Sequence, residues 1–88
     1  MYYVYIIKNG YSKLYIGITE NLQNRLYHHN TGQGAQFTKS KSEFQIVFSE
    51  EYKTLAEARK REIQIKKWRR DKKEMLIKRF KNGILTKI

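Results

Sequence analysis

The chain has 88 residues and a formal net charge of +11, from 19 Lys and Arg against eight Asp and Glu. This length predicts one domain, residues 1–88, with a small hydrophobic core. The absence of cysteine excludes a disulfide framework and a thiolate metal site. No apolar segment approaches the length of a membrane span and no signal sequence is recognisable, so we expect a cytoplasmic protein without a membrane partner.

Two short segments near the start of the chain have the composition of β-strands. Residues 2–8 and 14–19 are rich in tyrosine and β-branched residues, and an Asn-Gly pair lies between them. This combination predicts a β-hairpin.

The expected register of the hairpin brings tyrosines together. A turn centred near Gly10 would place Tyr5 opposite Tyr15 and Tyr3 opposite Gly17. Gly17 would then leave room on that face for an approaching group. From the strands alone, ordinary cross-strand packing is the favoured explanation of the tyrosines.

A first helix is expected after the hairpin. Thr19 or Asn21 can cap a helix that runs to about Asn30, with Leu22 and Leu26 forming its apolar stripe.

Arg25 and His29 are four residues apart in this helix, so they project from one face, and His28 lies slightly around it. An arginine can bind a phosphate bidentately, and a histidine can transfer a proton near neutral pH. Both residue types are also common on ordinary helix surfaces.

The remaining elements follow from composition and capping signals. Residues 31–43 have the composition of an exposed loop, and residues 44–52 that of a third strand. A capping box at Thr54 opens a helix to about residue 68, and a last helix over about 71–82 would end at a glycine. The order β-β-α-β-α-α predicts an α+β fold, a small three-stranded antiparallel sheet flanked by helices.

Glu62 breaks the pattern of the second predicted helix. It projects on the side that should face the body of the protein. The other residues on this side are Leu55, Ala58, Ile65 and Arg69. An ion pair with Arg59 or Lys66 at helical spacing is one explanation. The other is an oxygen ligand for a divalent cation, held at a cleft.

The positive charge is concentrated between residues 59 and 73, where nine of the 19 basic residues lie. This clustering predicts a polyanionic partner, with nucleic acid as the first candidate. The residues expected to contact DNA are Lys39, Lys41, Lys66, Lys67, Arg69, Arg70, Lys72 and Lys73. Trp68 could stack on an unpaired base or pack in the core. A basic helix surface is also found in ribosome-associated and membrane-surface proteins.

These motifs together resemble the GIY-YIG nuclease superfamily, and most closely its small stand-alone bacterial members, which are related to the amino-terminal nuclease domain of the bacterial excinuclease. The resemblance covers about residues 2–75. The residues that carry it are Tyr3-Val4-Tyr5, Tyr15-Ile16-Gly17, Arg25, His29 and Glu62.

The resemblance implies a role for each of these polar residues. Glu62 would hold one Mg²⁺ or Mn²⁺ ion against the scissile phosphate. Tyr5 would position or activate the attacking water, and Tyr15 would orient that water or a phosphate. Arg25 would neutralise charge on the phosphate, and His29 would assist proton transfer.

The chain departs from the family pattern at two positions. Tyr3 stands where the first motif usually has glycine, and no carboxamide follows the glutamate between Lys66 and Lys73. The implied function is a metal-dependent DNA endonuclease with a role in repair or recombination. We expect it to have little sequence specificity, because the chain has no room for a separate recognition domain. Duplex, branched and single-stranded DNA are all open as substrates. The alternatives are a nucleic-acid binding module on the same scaffold, weak or inactive in catalysis, and a domain whose basic helices bind an acidic protein.

Overall fold

A computed structural model of the protein describes residues 1–31 and 41–88. The elements in chain order are β1 (Tyr2–Lys8), β2 (Leu14–Thr19), α1 (Leu22–Thr31), β3 (Gln45–Tyr52), α2 (Leu55–Lys66) and α3 (Arg70–Lys81). The three strands form one antiparallel sheet in the order β2-β1-β3. This confirms the predicted α+β class and element order. Within the described parts of the chain, no helix is long and apolar enough to cross a membrane.

The sheet has helices on both faces, and β1 is buried between them. Val4 and Ile6 face one apolar cluster, and Tyr5 and Ile7 face the other. The first cluster is completed by residues of β3, α2 and α3, namely Phe48, Ala58, Ile65 and Leu76. The second is covered by Leu22 and Leu26 of α1 and includes Phe44. The central strand therefore carries a continuous buried run, as expected for a strand covered on both sides.

The predicted register of the hairpin is wrong by two residues. Tyr5 lies opposite Gly17, and Tyr15 lies opposite Ile7, while Tyr3 pairs with Thr19. Tyr5 and Tyr15 still share a face of the sheet because both numbers are odd. They are diagonal neighbours and not a directly opposed pair.

The turn explains the shift. The Asn9 side chain accepts hydrogen bonds from the backbone N–H groups of Tyr11 and Lys13, each at 3.0 Å. Ser12 adopts a left-handed conformation with φ of 63°. The connection therefore spans residues 9–13, and its centre lies beyond Gly10. Gly10 serves a different purpose: its N–H donates to the Lys41 carbonyl at 2.6 Å, and a Cβ would meet the Lys41 backbone at 2.9 Å.

Local capping interactions define the helix ends. The Asn21 side chain accepts from the Asn24 N–H at 3.0 Å, so Asn21 caps α1. Thr54 caps α2 through the Glu57 N–H. Gly83, with φ of +69°, follows α3 as predicted.

The second helix ends at Lys66 and not near Trp68. Arg69 therefore does not share its inward side; it occupies the N-cap position of α3. Trp68 lies between the two helices, partly buried against the core, and the Lys72 ammonium lies 4.3 Å from its ring centre. Of the two readings of Trp68, this position favours packing.

A buried ion pair attaches α2 to the sheet and to the end of the chain. Arg61 Nε donates to Glu50 Oε1 at 2.9 Å, and both side chains are buried. Arg61 also donates to the carbonyl groups of Thr86 and Ile88. Burial alone would raise the pKa of Glu50, but hydrogen bonds from Arg61, Thr86 and Tyr52 outweigh it and lower that pKa. One of the nine clustered basic residues is therefore directed into the interior.

Candidate active site

A cleft of about 450 Å³ runs along the free edge of β2, between residues of α1 and α2. Four residues predicted to act in catalysis or metal binding line it: Tyr5, Tyr15, Arg25 and Glu62. The other charged residues lining it are Glu20, Arg59 and Lys66, of which Lys66 is a predicted DNA-contacting residue. The strand edge thus brings together side chains from both layers of helices.

The Tyr5 hydroxyl is the centre of a short hydrogen-bonded chain. Arg25 Nε donates to the Tyr5 oxygen at 3.2 Å, and His29 Nε2 lies 3.2 Å from the same oxygen. Since arginine can only donate, the Tyr5 O–H is available to donate to an unprotonated Nε2. The hydrogen bonds therefore connect the Arg25 guanidinium, the Tyr5 phenol and the His29 imidazole in that order.

Gly17 allows the Tyr5 hydroxyl to reach this position. A Cβ at residue 17 would lie 2.6 Å from the hydroxyl oxygen and 2.9 Å from Cζ. The open face predicted at Gly17 is therefore filled by the phenol across the strand. Glycine is required at position 17 because the Tyr5 side chain occupies the space that a Cβ would fill.

His29 is positioned against both tyrosines. Its ring lies edge to face with Tyr15, with centroids 4.6 Å apart, and 6.2 Å from the Tyr5 ring. Burial, and secondly the charge of Arg25, lower the pKa of His29 below its ordinary 6.5. Both effects favour the neutral form of His29, which can accept a proton. His28 instead packs on Tyr27, with ring centroids 5.9 Å apart.

The end of α1 is held by Asn30, which the sequence reasoning did not single out. Its side chain accepts from the Phe44 N–H at 2.8 Å and donates to the Phe44 carbonyl at 3.2 Å. Asn30 is buried, and Phe44 packs near the His29 ring. This pair of bonds fixes the helix turn that carries His29.

Glu62 enters the cleft from α2 with only 6% of its surface exposed. Its Oε2 lies 3.1 Å from Lys66 Nζ, and its Oε1 lies 3.5 Å from Arg59 NH1. Of the two explanations offered for Glu62, the ion pair is observed, with both Arg59 and Lys66. The carboxylate faces the cleft, and two cations of its own helix neutralise it.

Comparison with known proteins identifies the family. The family model described as the GIY-YIG catalytic domain matches residues 1–75. The chain belongs to the GIY-YIG family. It is 42% identical to a UPF0213 protein of Staphylococcus saprophyticus, over 86% of this chain and 93% of that protein. A UPF0213 protein of Staphylococcus aureus is 43% identical, over 88% and 94% of the two chains.

A solved structure supports the same assignment. The solution structure of a UPF0213 protein from Bacillus halodurans matches the GIY-YIG domain with a TM-score of 0.57 and 32% identity. The match covers 89% of this chain and 84% of the other. Members of the GIY-YIG family are generally nucleases that act on nucleic acid and commonly use a divalent metal. The domain therefore has a nuclease-like fold.

The cleft of the GIY-YIG domain suits a weakly ligated hard cation. Among residues 1–31 and 41–88, no group of three or more His, Cys, Asp and Glu could enclose a metal ion. Mg²⁺ often binds through one or two carboxylates, with water and substrate phosphates completing its shell. Glu62 supplies one such carboxylate, and Glu20 lines the same cleft. The side chains of the two cations on Glu62 are more than half exposed, so they have room to move away.

The predicted DNA-contacting residues are spread more widely than the cleft. Of those described, only Lys66 lines it. Lys41, Lys67, Arg69 and Lys72 are exposed elsewhere, and Lys73 is partly buried. Lys39 lies outside the described residues.

Arg70 has interactions within the protein. It pairs with Glu74 and donates to the Ser12 carbonyl, so it braces the hairpin turn against α3. Arg59, which the sequence reasoning considered only as a partner of Glu62, lines the cleft directly. Its position three residues before Glu62 was the signal that places both on one helix side.

Proposed function

We propose that this GIY-YIG domain is a divalent-metal-dependent endonuclease that hydrolyses phosphodiester bonds in DNA with little sequence preference. The observation that carries the proposal is that Tyr5, Arg25 and Glu62 line one cleft, with Arg25 and His29 both bonded to the Tyr5 hydroxyl. A basic cleft with a single buried carboxylate is suited to hydrolysis of a phosphate ester.

The protein's own groups would carry most of the reaction. Tyr5 would take a proton from the attacking water while its own proton passes to the neutral His29. The water oxygen would bond to phosphorus as the ester bond to the leaving oxygen breaks, and the leaving oxygen would take a proton from solvent water. Arg25 would hold Tyr5 through Nε, and its terminal nitrogens would donate to the phosphate as charge develops. Tyr15 would keep the His29 ring oriented and bind water or phosphate at the cleft entrance.

Glu62 would hold Mg²⁺ or Mn²⁺, which supplies Lewis-acid stabilisation of the phosphate and of the leaving oxygen. The residues that contact DNA outside the cleft would be the exposed lysines and arginines around α2 and α3. Because these contacts are to phosphates, they would position the strand without reading its sequence. A role in DNA repair or recombination would suit such low specificity.

The test is cleavage of labelled duplex, nicked, branched and single-stranded DNA in Mg²⁺, in Mn²⁺ and in EDTA. We expect Tyr5→Phe, Arg25→Ala and Glu62→Gln each to lower the rate about 100-fold or more. Tyr11→Phe is a matched control, since Tyr11 is 70% exposed in the hairpin turn, outside the cleft. Cleavage that survives EDTA or Glu62→Gln would exclude the metal-dependent mechanism.

A second candidate is a metal-independent nucleic-acid binding module. Two observations favour it: both oxygens of Glu62 are paired with cations, and no carboxamide lies between Lys66 and Lys73, where the family pattern would place one. This function predicts DNA binding that falls steeply with salt and is unchanged by EDTA, without cleavage of any DNA form.

A further inference from the structure

The environment of Glu62 contains two cations whose roles the proposed reaction does not assign. Arg59 and Lys66 flank the carboxylate at i−3 and i+4 on α2. Each contacts a different oxygen of Glu62, at 3.5 and 3.1 Å. All three side chains line the same cleft as Tyr5 and Arg25. The two cations therefore occupy both oxygens of the carboxylate in the cleft that a ligand would enter.

Exposure differs sharply within this trio. The Glu62 side chain is 8% exposed, whereas those of Arg59 and Lys66 are 59% and 53% exposed. A buried carboxylate needs a countercharge, so the pairs suit the protein without ligand. Exposed cations on long side chains hold such pairs only weakly and lose little when they leave. The carboxylate is fixed, and its partners are exchangeable.

The charges of the cleft determine what can replace them. Arg25, Arg59 and Lys66 face Glu20 and Glu62, which leaves one net positive charge. A divalent cation on Glu62 would add two more at ion-pair distance from Arg59 and Lys66, and like charges so close repel. DNA phosphates are the negative groups that could receive the displaced side chains.

We propose that Arg59 and Lys66 are an exchangeable countercharge that couples metal binding to DNA binding. In the metal-free protein they are bound to Glu62. When a divalent cation takes the carboxylate, they turn to phosphates of the DNA strand in the cleft. This inference deepens the proposed function and rests on it, because it requires a cation at Glu62 and DNA in the cleft. By linkage, each ligand strengthens the binding of the other.

The first test measures Mn²⁺ binding without DNA, by the loss of the free-ion electron paramagnetic resonance signal. Lys66→Gln should tighten Mn²⁺ binding about two- to fivefold, because the ion no longer competes with an ammonium group. Lys67→Gln removes the same charge from the next residue, which is exposed and outside the cleft. It should therefore change the affinity less. Equal affinities for the two variants, or no Mn²⁺ binding by any of the proteins, would overturn the proposal.

The second test measures DNA binding in EDTA by fluorescence anisotropy over a range of salt concentrations. Glu62→Gln releases both cations without metal, so affinity should rise and the salt dependence should steepen by up to about 1.8, from two added phosphate contacts. Glu57→Gln makes the same change in net charge on α2 outside the cleft. The double variant Glu62→Gln/Lys66→Gln should lose about half of the gain in slope. The proposal is wrong if Glu62→Gln and Glu57→Gln bind DNA alike.

Folding and catalysis are kept separate from these readouts. Circular dichroism checks that Glu62→Gln is folded. If Glu62→Gln does not fold, the Mn²⁺ affinity of Lys66→Gln, a substitution at an exposed site, decides the proposal. Mn²⁺ binding with the expected difference between Lys66→Gln and Lys67→Gln, but without DNA cleavage, would refute the nuclease and leave the countercharge exchange standing. DNA cleavage without a difference in Mn²⁺ affinity between Lys66→Gln and Lys67→Gln would refute the countercharge exchange and leave the nuclease standing.

Discussion

Replacement of Gly17 by alanine tests the geometry of the site most directly. The added Cβ would lie 2.6 Å from the Tyr5 hydroxyl oxygen, 2.9 Å from Cζ and 3.1 Å from Cε2. Tyr5 is 2% exposed and is held by Arg25 and His29, so its ring has little freedom to withdraw. Either the strands separate locally or the hydroxyl leaves both partners.

The expected cost follows from these contacts. Overpacking of a buried site costs about 1–3 kcal/mol, and each lost hydrogen bond about 1 kcal/mol. We therefore expect Gly17→Ala to lower the free energy of unfolding by about 2 kcal/mol, either through overpacking or through the loss of two hydrogen bonds. For a domain of this size, that corresponds to a fall in Tm of about 10 °C or more. Cleavage should fall as well, because the Tyr5 oxygen is displaced.

The assay is urea and thermal unfolding followed by circular dichroism, with DNA cleavage in parallel. Where a glycine is not sterically required, alanine stabilises by about 0.4–1 kcal/mol through the unfolded chain. The sign of the change is therefore decisive, and a stabilised or unchanged Gly17→Ala protein would refute the reasoning.

Two further variants sharpen the result. Tyr5→Phe removes the atom at 2.6 Å, so Gly17→Ala should cost about 1 kcal/mol less in that background. Gly83→Ala is the control for glycine loss alone. Its φ of +69° predicts strain of about 1–2 kcal/mol, but nothing lies within 4 Å of the new Cβ, so cleavage should not change.

Three other predictions concern the groups that support the site. Asn30→Ala leaves two buried backbone groups unpaired and should cost about 2–4 kcal/mol in urea unfolding, whereas the exposed Asn24→Ala should cost far less. His29 should titrate with a midpoint below 6.5 in proton NMR, because burial and the charge of Arg25 lower its pKa. DNA cleavage should therefore fall only as the pH drops through that midpoint and His29 becomes protonated. A midpoint above 6.5 would contradict the burial of His29 beside a cation. Because the pKa of Glu50 is lowered below 4.5 in the folded state, its contribution to stability is present above pH 4.5 and is lost as the pH falls through the folded value. Arg61→Met leaves the carboxylate buried without its cation, so it should destabilise by about 3–5 kcal/mol. It should also weaken or reverse that pH dependence, because burial raises the pKa of Glu50.

Much of the fold could be predicted because its signals are local. The strands follow from tyrosine and β-branched residues close in sequence, and the caps at Asn21 and Thr54 act within three residues. Helical spacing likewise places Glu62 on the inward side of α2, where it is buried. Predictions that rest on neighbours three or four residues away needed no tertiary information.

The register of the hairpin was predicted wrongly because the turn depends on more than its Asn-Gly pair. The Asn9 side chain organises the whole connection, and Gly10 is committed to a contact with Lys41, 31 positions along the chain. As a result, Gly17 lies opposite Tyr5 in the neighbouring strand and not opposite Tyr3. A two-residue shift keeps every side chain on its face, so alternation in the sequence is equally compatible with both registers.

The sequence alone determined which residues could act together: tyrosines on one sheet face, Arg25 and His29 on one helix face, and an inward Glu62. Only the tertiary structure decided how they meet. It placed the Tyr5 hydroxyl over Gly17 between Arg25 and His29, and it gave Glu62 two cations at the free edge of β2. The physical reason is that periodicity determines the face on which a side chain projects. The atom that it meets there is set by contacts between elements distant in sequence.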